Sequence, residues 1–244
     1  MNFSDLEVKF IDYSLFTGKE NMRIDLDLVS SVKQGEVIVR FYGWQPYCIS
    51  LGANQSEEVL NKAKLEAEGV DFVYRPTGGR AVFHSEELTY SVSMIIDSDS
   101  SPKNIYREIN RILMDGLADF HPLLNGLGLE ETKTDLKNFY NTANGNLCFA
   151  VAAKSEVKFA GKKLIGSAQK LMRNRLLQHG SILTGTHHKK LPGYLIAGDE
   201  EISKMNFEID SKTVDIKTVT GEEVDFNNLV LSLKNSFLKE KVIS

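Results

Sequence analysis

Short apolar runs separated by turn residues recur along the chain and indicate strands. Two of them, residues 36–42 and 47–51, flank the turn sequence Gly43-Trp44-Gln45-Pro46, so we predict that they form a β-hairpin. Further strand-like runs are residues 70–74 and 88–96. From residue 157 to 183 the pattern predicts short strands that break at Gly161, Gly166 and Gly180.

Apolar residues at helical spacing mark other segments. Ser56 is placed to cap a helix that ends at Gly69, and its apolar face holds Val59, Leu60, Ala63 and Ala67. Ser101-Pro102 begins a second helix, with Ile105, Ile109, Ile112, Leu113 and Leu117 on one face. Asp225 begins a third, which carries Phe226, Leu229, Val230, Leu233 and Phe237. Residues 21–32 fit the period of a strand and that of a helix equally well.

Strands in neighbouring runs, with helices between and after them and few βαβ repeats, predict an α+β fold. We expect a mixed, largely antiparallel sheet with helices packed on it. Residues 120–146 are rich in Gly and Asn and predict a surface loop. No linker, repeat or low-complexity tract interrupts the sequence, which favours a single domain over residues 1–244.

Composition narrows the class of protein. A chain of 244 residues with 42% hydrophobic and 25% charged residues has enough apolar material for a substantial core. The N-terminal residues lack a signal-peptide pattern, and no apolar run approaches the roughly 18 residues that span a membrane. Cys48 and Cys148 are too few for a disulfide framework. We therefore expect a cytoplasmic protein with free thiols and no membrane association.

Charge is unevenly distributed along the chain. The net charge of -4 argues against general nucleic-acid binding. Between residues 154 and 175, however, one acidic residue, Glu156, accompanies seven basic ones, namely Lys154, Lys158, Lys162, Lys163, Lys170, Arg173 and Arg175. This cluster is either a solvated hairpin face or a docking patch that attracts an acidic partner.

Three glycine-containing segments carry the candidate chemistry. The first, residues 75–84, reads Arg-Pro-Thr-Gly-Gly-Arg-Ala-Val-Phe-His, and its adjacent glycines let the backbone turn sharply and approach a ligand. The second, residues 159–169, reads Phe-Ala-Gly-Lys-Lys-Leu-Ile-Gly-Ser-Ala-Gln. The third, residues 177–183, contains His179-Gly180. Alone, each is also compatible with a plain turn or strand.

In that order, the three segments resemble the biotin/lipoate A/B protein ligase family, whose members attach lipoyl, octanoyl or biotinyl groups to lysines. The resemblance covers roughly residues 20–185. It is nearest to octanoyl-[acyl carrier protein]:protein N-octanoyltransferases of the LipM type, since Arg80 stands where a typical ligase has a third glycine. Further matches are Glu87-Leu88-Thr89-Tyr90-Ser91-Val92 and Cys148-Phe149.

The resemblance implies the fold shared by biotin protein ligases and class II aminoacyl-tRNA synthetases, and it favours a helix for residues 21–32. It also assigns Cys148 as the nucleophile, although a free cysteine is more often a small buried hydrophobe. A thiolate could accept an acyl group from a thioester without ATP and pass it to a lysine amine. No cofactor is then needed.

Lys163 is the second catalytic candidate. A nearby ammonium favours a cysteine thiolate. Because adjacent strand residues point to opposite faces, only one of Lys162 and Lys163 can enter a pocket. The family pattern places its lysine second in such a pair, which selects Lys163 and leaves Lys162 exposed.

The resemblance further implies an acyl pocket. Its predicted residues are Arg75, Gly78, Gly79, Arg80 and His84 on one wall, Gly166, Ser167 and Ala168 on the other, and His179 and Gly180 completing it. Many members of the family have Asp after the histidine, and Ser85 at that position leaves the role of His84 in doubt. Cys48 is expected in the core. His187 and His188 lie in a tail-like stretch without metal-ligand spacing, so we predict no metal site.

Three functions remain open from sequence. The first is acyl transfer through Cys148 from octanoyl-acyl carrier protein to a lipoyl-domain acceptor of the GcvH or E2-subunit kind. The second is an ATP-dependent lipoate-protein ligase without its accessory domain; Cys148, Arg80 and the length of the chain favour the first. The third is a module that binds an acyl group without turnover, which a Cys148 buried away from the glycine loop would indicate.

Overall fold

A computed structural model describes residues 5–129 and 156–239. Its strands are β1 (Glu7–Phe16), β2 (Glu36–Trp44), β3 (Cys48–Leu51), β4 (Asp71–Tyr74), β5 (Val82–His84), β6 (Glu87–Ile95), β7 (Leu127–Leu129), β8 (Val157–Phe159), β9 (Lys162–Met172) and β10 (Arg175–Leu183). Its α-helices are α1 (Gly18–Ser31), α2 (Lys62–Ala67), α3 (Pro102–Phe120), α4 (Asp199–Lys212), α5 (Ile216–Thr220) and α6 (Phe226–Lys239). Short 3₁₀ helices cover Glu57–Val59, Pro122–Gly126 and His187–Tyr194.

The strands form two sheets. A seven-stranded sheet has the order β1-β2-β6-β10-β9-β8-β7, and a three-stranded sheet has the order β4-β3-β5. The pairs β1–β2 and β3–β4 are parallel, whereas the remaining pairs are antiparallel. This arrangement confirms the predicted α+β fold with a mixed, largely antiparallel sheet.

The predicted hairpin between residues 36–42 and 47–51 is wrong. Both segments are strands, but β2 pairs with β1 and β6, whereas β3 lies between β4 and β5 in the small sheet. The residues of β3 are buried throughout, as expected for a central strand. Local patterning identifies a strand without identifying its partner, and here the chain changes sheets at Gln45-Pro46.

The predicted breaks at Gly166 and Gly180 are also wrong, because these glycines lie inside β9 and β10. Gly180 pairs with Ser167, and Gly166 with Ser181. A Cβ atom on Gly180 would lie 2.3 Å from the Gly166 carbonyl oxygen, so the glycines permit a close approach between strands. Gly161, with φ of +79°, does form the turn that separates β8 from β9.

The helix predictions are mostly confirmed. Helix α1 covers residues 21–31, while α3 and α6 begin after Ser101 and Asp225 as expected. The helix expected after Ser56 is instead two short helices, with Ser56 capping the first and Asn61 capping the second. The loop predicted for residues 120–146 contains a 3₁₀ helix and β7, and residues 130–146 lie outside the described part.

Two packed layers cover the large sheet. One face packs against α3 and α6, and this core includes Phe41, Tyr90, Ile109, Leu113 and Phe237. The opposite face holds Arg40, Tyr42 and Trp44 and is covered by α1 and the segment around the small sheet, whose own core includes Leu51, Phe83 and Tyr194. Among the described helices, none is long and apolar enough to cross a membrane.

We predict that Gly180→Ala destabilises the fold. The new methyl group would meet the Gly166 carbonyl, the Tyr90 ring at 2.9 Å and the Ser167 backbone at 3.0 Å. Overpacking of this kind costs about 1–3 kcal/mol. Gly78→Ala is the control, because a methyl group on Gly78 would meet no atom within 4 Å. Urea unfolding should show a lower free energy of unfolding for Gly180→Ala only; equal values would contradict the close packing of β9 against β10.

Candidate active site

A narrow slot lies on the face of the large sheet opposite α3 and α6. The slot has a volume of about 460 Å³ when its open mouth is included. Only about 40 Å³ of this volume is wide enough to hold the centre of a water molecule. Its lining combines residues from β2, β6, β9 and β10 with residues of α1, β3, β5 and the segment before β5. These residues are Met22, Tyr42, Trp44, Ser50, Arg75, Val82, His84, Thr89, Lys163, Gly166, Ser167, Ala168, His179, Gly180 and Ser181.

The slot brings together most of the residues that the sequence singled out. From the predicted acyl-binding set it includes Arg75, His84, Gly166, Ser167, Ala168, His179 and Gly180, and it also includes Lys163. The slot crosses the strand order from β2 to β9, which are three inter-strand spacings apart, about 14 Å. Lys163 therefore lies towards one end, and the Tyr42 and Trp44 rings lie towards the other.

Gly78, Gly79 and Arg80 are not among the residues that line the slot, and their contact with an acyl group stays a prediction. The Arg75 guanidinium instead donates hydrogen bonds to the carbonyl oxygens of Gly78 at 3.1 Å and Arg80 at 2.6 Å. Gly79 has φ of +104°, and a Cβ on Gly52 would lie 2.1 Å from the Gly79 oxygen. Gly79 thus permits the turn of the loop and Gly52 permits its close packing, and the loop carbonyls hold Arg75 in place.

His84 has an orienting carboxylate after all, and it is Glu87. His84 Nδ1 lies 2.7 Å from Glu87 Oε1, and because a carboxylate only accepts, Nδ1 carries the proton. His84 Nε2 is 2.7 Å from the hydroxyl of Ser50. The His84 ring stacks on Trp44 with 4.0 Å between ring centroids. Glu87, two residues beyond Ser85, therefore supplies the carboxylate that contacts His84.

Several residues that line the slot belong to a buried network of charged and hydrogen-bonded side chains. Asp25 accepts hydrogen bonds from Arg40 at 2.9 Å and Tyr42 at 2.9 Å. Burial raises the pKa of Asp25, but the hydrogen bond and charge of His179 and the charge of Arg40 outweigh it and hold that pKa below its ordinary value. His179 in turn contacts the hydroxyl of Thr77 at 2.7 Å through Nε2. The network thus links the sheet to the glycine loop.

The structure places Lys163 and Lys162 on opposite sides, with Lys163 buried and Lys162 exposed. The Lys163 ammonium forms an ion pair with Glu156 Oε1 at 2.9 Å. Lys162 contacts the backbone oxygen of Asp210 on the surface. Of the two lysines, Lys163 is therefore the one that lines the slot.

The other residues that the sequence singled out are the two cysteines and the stretch around His187 and His188. Cys148 lies outside the described residues. Cys48 is buried, as expected for a core residue, and burial raises the pKa of its thiol well above the ordinary value. The stretch around His187 and His188 is not tail-like, because it forms a 3₁₀ helix in which His188 is buried and contacts Gly185 and Thr213. In residues 5–129 and 156–239, no group of three side chains could hold a metal ion.

Only some residues of the basic cluster between residues 154 and 175 are exposed. Lys162, Lys170 and Arg173 are exposed, whereas Arg175 donates to the carbonyl oxygens of Val29 and Val32. Lys154 lies outside the described residues. A docking role for the exposed members stays a prediction.

Sequence reasoning missed several slot residues, namely Met22, Tyr42, Ser50, Thr89 and Ser181, as well as Glu156. The sequence of β6 shows only that Glu87, Thr89, Ser91 and Ser93 alternate with apolar residues, and the structure adds that all four are buried. An alternating strand normally exposes its polar face to water. Buried polar residues at every second position therefore indicate a site on that face.

Comparisons with known proteins identify relatives of this chain. The model of the lipoyl protein ligase A/B catalytic domain matches residues 17–238. Octanoyltransferase LipM of Lysinibacillus sphaericus is 32% identical over 229 residues, which are 90% of this chain and 81% of the relative. Octanoyltransferase LipM of Clostridioides difficile is 33% identical over 239 residues, covering 93% of this chain and 86% of the relative.

Solved structures show the same fold. A bi-partite lipoate protein ligase, studied with its E2 lipoyl domain, from Thermoplasma acidophilum superposes with a TM-score of 0.73 at 19% identity. The match covers 98% of this chain and 85% of that chain. At this identity, the likeness concerns the fold alone.

We predict that the stability of the protein falls as the pH drops below the ordinary histidine value of 6.5. Burial lowers the pKa of both His179 and His188, so below 6.5 the unfolded chain binds protons that the folded protein does not. Each such group gives a slope of at most about 1.4 kcal/mol per pH unit. The lowered pKa of Asp25 acts in a separate window, below its ordinary value of 3.8.

Urea unfolding at several pH values between about 7 and 5 measures this slope. Burial also lowers the pKa of the more exposed His187, so His188→Gln removes one of three such histidines and should make the slope shallower. An unchanged slope in this variant would show that His188 does not contribute.

Proposed function

The chain belongs to the lipoyl protein ligase A/B catalytic domain family, and on that premise we propose that it transfers an octanoyl group to a lysine of a lipoyl-domain protein. The observation that carries this proposal is the narrow slot that ends at the buried ammonium of Lys163. The relatives named octanoyltransferase, at 32% and 33% identity over nine-tenths of the chain, support the same reaction.

The slot suits a thin, unbranched acyl chain. It is lined at one end by Met22, Tyr42 and Trp44, while Lys163 supplies a positive charge at the other. Apolar walls with a few placed polar groups are typical of small-molecule sites. The apolar end accommodates the hydrocarbon, and the acyl carbonyl lies near Lys163, where an ammonium stabilises the charge that develops on its oxygen.

The transfer proceeds in two steps through Cys148. The thiolate of Cys148 attacks the carbonyl carbon of an acyl thioester, the bond from this carbon to the donor sulfur breaks, the donor leaves as a thiolate, and an octanoyl-Cys148 thioester forms. The neutral amine of the acceptor lysine then attacks this carbonyl, and the bond to the Cys148 sulfur breaks so that Cys148 leaves as a thiolate. The amine loses one proton to water, which leaves the acyl group on the lysine as an amide. No ATP is consumed, because the thioester supplies the activated acyl group.

We assign octanoyl-acyl carrier protein as the donor and a lipoyl-domain protein, of the GcvH or E2-subunit kind, as the acceptor. The names of the relatives support octanoyl as the group, and the lipoate ligase studied with a lipoyl domain supports the acceptor class.

ATP-dependent lipoate ligation is the second candidate. It is kept because the same fold occurs in a protein named a bi-partite lipoate protein ligase. Both reactions would use one slot. Dependence on Cys148 and on ATP distinguishes them.

We predict that the wild-type protein, incubated with octanoyl-acyl carrier protein alone, gains the mass of one octanoyl group, and that Cys148→Ala gains none. Adding a lipoyl-domain acceptor without ATP should move the group to the acceptor in the wild type only. Intact-protein mass spectrometry measures both events. Cys48→Ala is the matched control, because the buried Cys48 thiol has a raised pKa and should not carry an acyl group.

Transfer by Cys148→Ala at the wild-type rate would rule out the covalent step. Transfer from free octanoate or lipoate that requires ATP would identify the protein as a ligase instead. No transfer to the acceptor under either condition would contradict both candidates.

A further inference from the structure

Glu156 forms the ion pair with Lys163 at the end of the slot, and both side chains are almost fully buried, at 4% and 3% exposure. We propose that Glu156 is a positioning residue, which holds the Lys163 ammonium where the acyl carbonyl and the attacking groups meet. The inference rests on the proposed acyl transfer, and it assigns a role to a residue that the slot lining itself does not include.

The backbone around Lys163 is fixed on two sides. Between β8 and β9 the register shifts: Val157 lies opposite Ile165, but Lys158 lies opposite Lys163, so Leu164 is an extra residue in β9. A bulge of this kind redirects the neighbouring side chains. On the other side, the Lys163 carbonyl accepts a hydrogen bond from Val214 N at 3.0 Å.

A fixed backbone does not fix the ammonium. A lysine side chain is a flexible four-carbon stem, and holding it in one position costs rotamer entropy. Without a partner of opposite charge, a buried ammonium would also bear a large desolvation penalty. Glu156 supplies the opposite charge that the buried ammonium requires, and the ion pair limits the motion of the lysine side chain. Glu156 is itself buried and lies directly before β8, which is paired with β9 next to Lys163.

The surroundings of Glu156 connect it to the slot wall. Burial, and then the nearby negative charge of Glu156, raise the pKa of Tyr106. The hydroxyl of Tyr106 donates to the Ser167 carbonyl oxygen at 3.2 Å, and Ser167 lines the slot. Glu156 therefore lies outside the slot, next to the wall that contains Lys163 and Ser167. It acts by holding Lys163 in position and does not contact the acyl chain.

The test is a double-mutant cycle of Glu156→Gln and Lys163→Met in the full chain, assayed by octanoyl transfer from octanoyl-acyl carrier protein to a lipoyl-domain acceptor. We expect Glu156→Gln to lower kcat by about 10- to 100-fold, the scale of a misplaced catalytic group, and to leave KM for the donor unchanged. In the Lys163→Met background the same substitution should have little further effect. Glu156→Asp, which keeps the charge, should recover part of kcat.

Two controls separate positioning from general damage. Asp210→Asn removes an exposed carboxylate paired with Lys189 on the same side of the molecule, and Lys162→Ala removes the exposed lysine next to Lys163. Both should keep wild-type kcat. Because breaking a buried ion pair can unfold a protein, the double variant, which removes both charges, and Glu156→Asp supply folded comparisons.

Wild-type kcat in Glu156→Gln would overturn the inference, as would independent losses that multiply in the double variant. A loss confined to KM or thermal stability, without recovery by Glu156→Asp, would assign Glu156 a structural role only. Absence of transfer by the wild type would refute the proposed function itself, so the two failures are distinguishable.

Discussion

The buried carboxylate of Asp25 is the contact on which the slot depends. It lies on α1 and accepts hydrogen bonds from Arg40 and Tyr42 on β2 and from Ser91 on β6, while His179 on β10 lies 3.5 Å away. One carboxylate thus connects a helix to three neighbouring strands. A buried charge is tolerated only when it is paired and hydrogen-bonded, so these partners are held in fixed positions.

Two further buried acids repeat this arrangement around the slot. Glu87 orients His84 and also accepts hydrogen bonds from Thr89 and Ser181, and Glu156 holds Lys163. In each case the acid lies behind the wall and the side chain that it contacts faces the slot. Such pairs contribute little net stability, because desolvation offsets much of their attraction. Their effect is to fix basic groups in an otherwise apolar site. Basic groups that are already in position can stabilise the charge of a transition state more strongly than they stabilise the bound substrate.

Much of this arrangement can be predicted from the sequence where the information is local. The two-residue period of a strand separates Lys162 from Lys163, and the caps at Ser101 and Asp225 mark where helices begin. Which strands pair with each other depends on residues that are distant in the sequence. The local pattern therefore predicts one hairpin for β2 and β3, although they belong to different sheets. Glu87 and Glu156 act through contacts made by strand pairing and by a bulge, which a motif cannot show. Glycine inside a strand pattern indicates a break, but the glycines of β9 and β10 instead allow two strands to approach each other.

A crystal structure of Cys148→Ala with octanoic acid bound tests most directly whether the slot is the acyl site. The carboxyl group should lie within hydrogen-bond distance of Lys163 Nζ, and the hydrocarbon should run across β10 and β6 towards Met22 and Trp44. Octanoate bound in the reverse direction would contradict the account. So would octanoate in the open groove of about 1210 Å³, mouth included, that Tyr13, Tyr47 and Phe226 line together with Trp44.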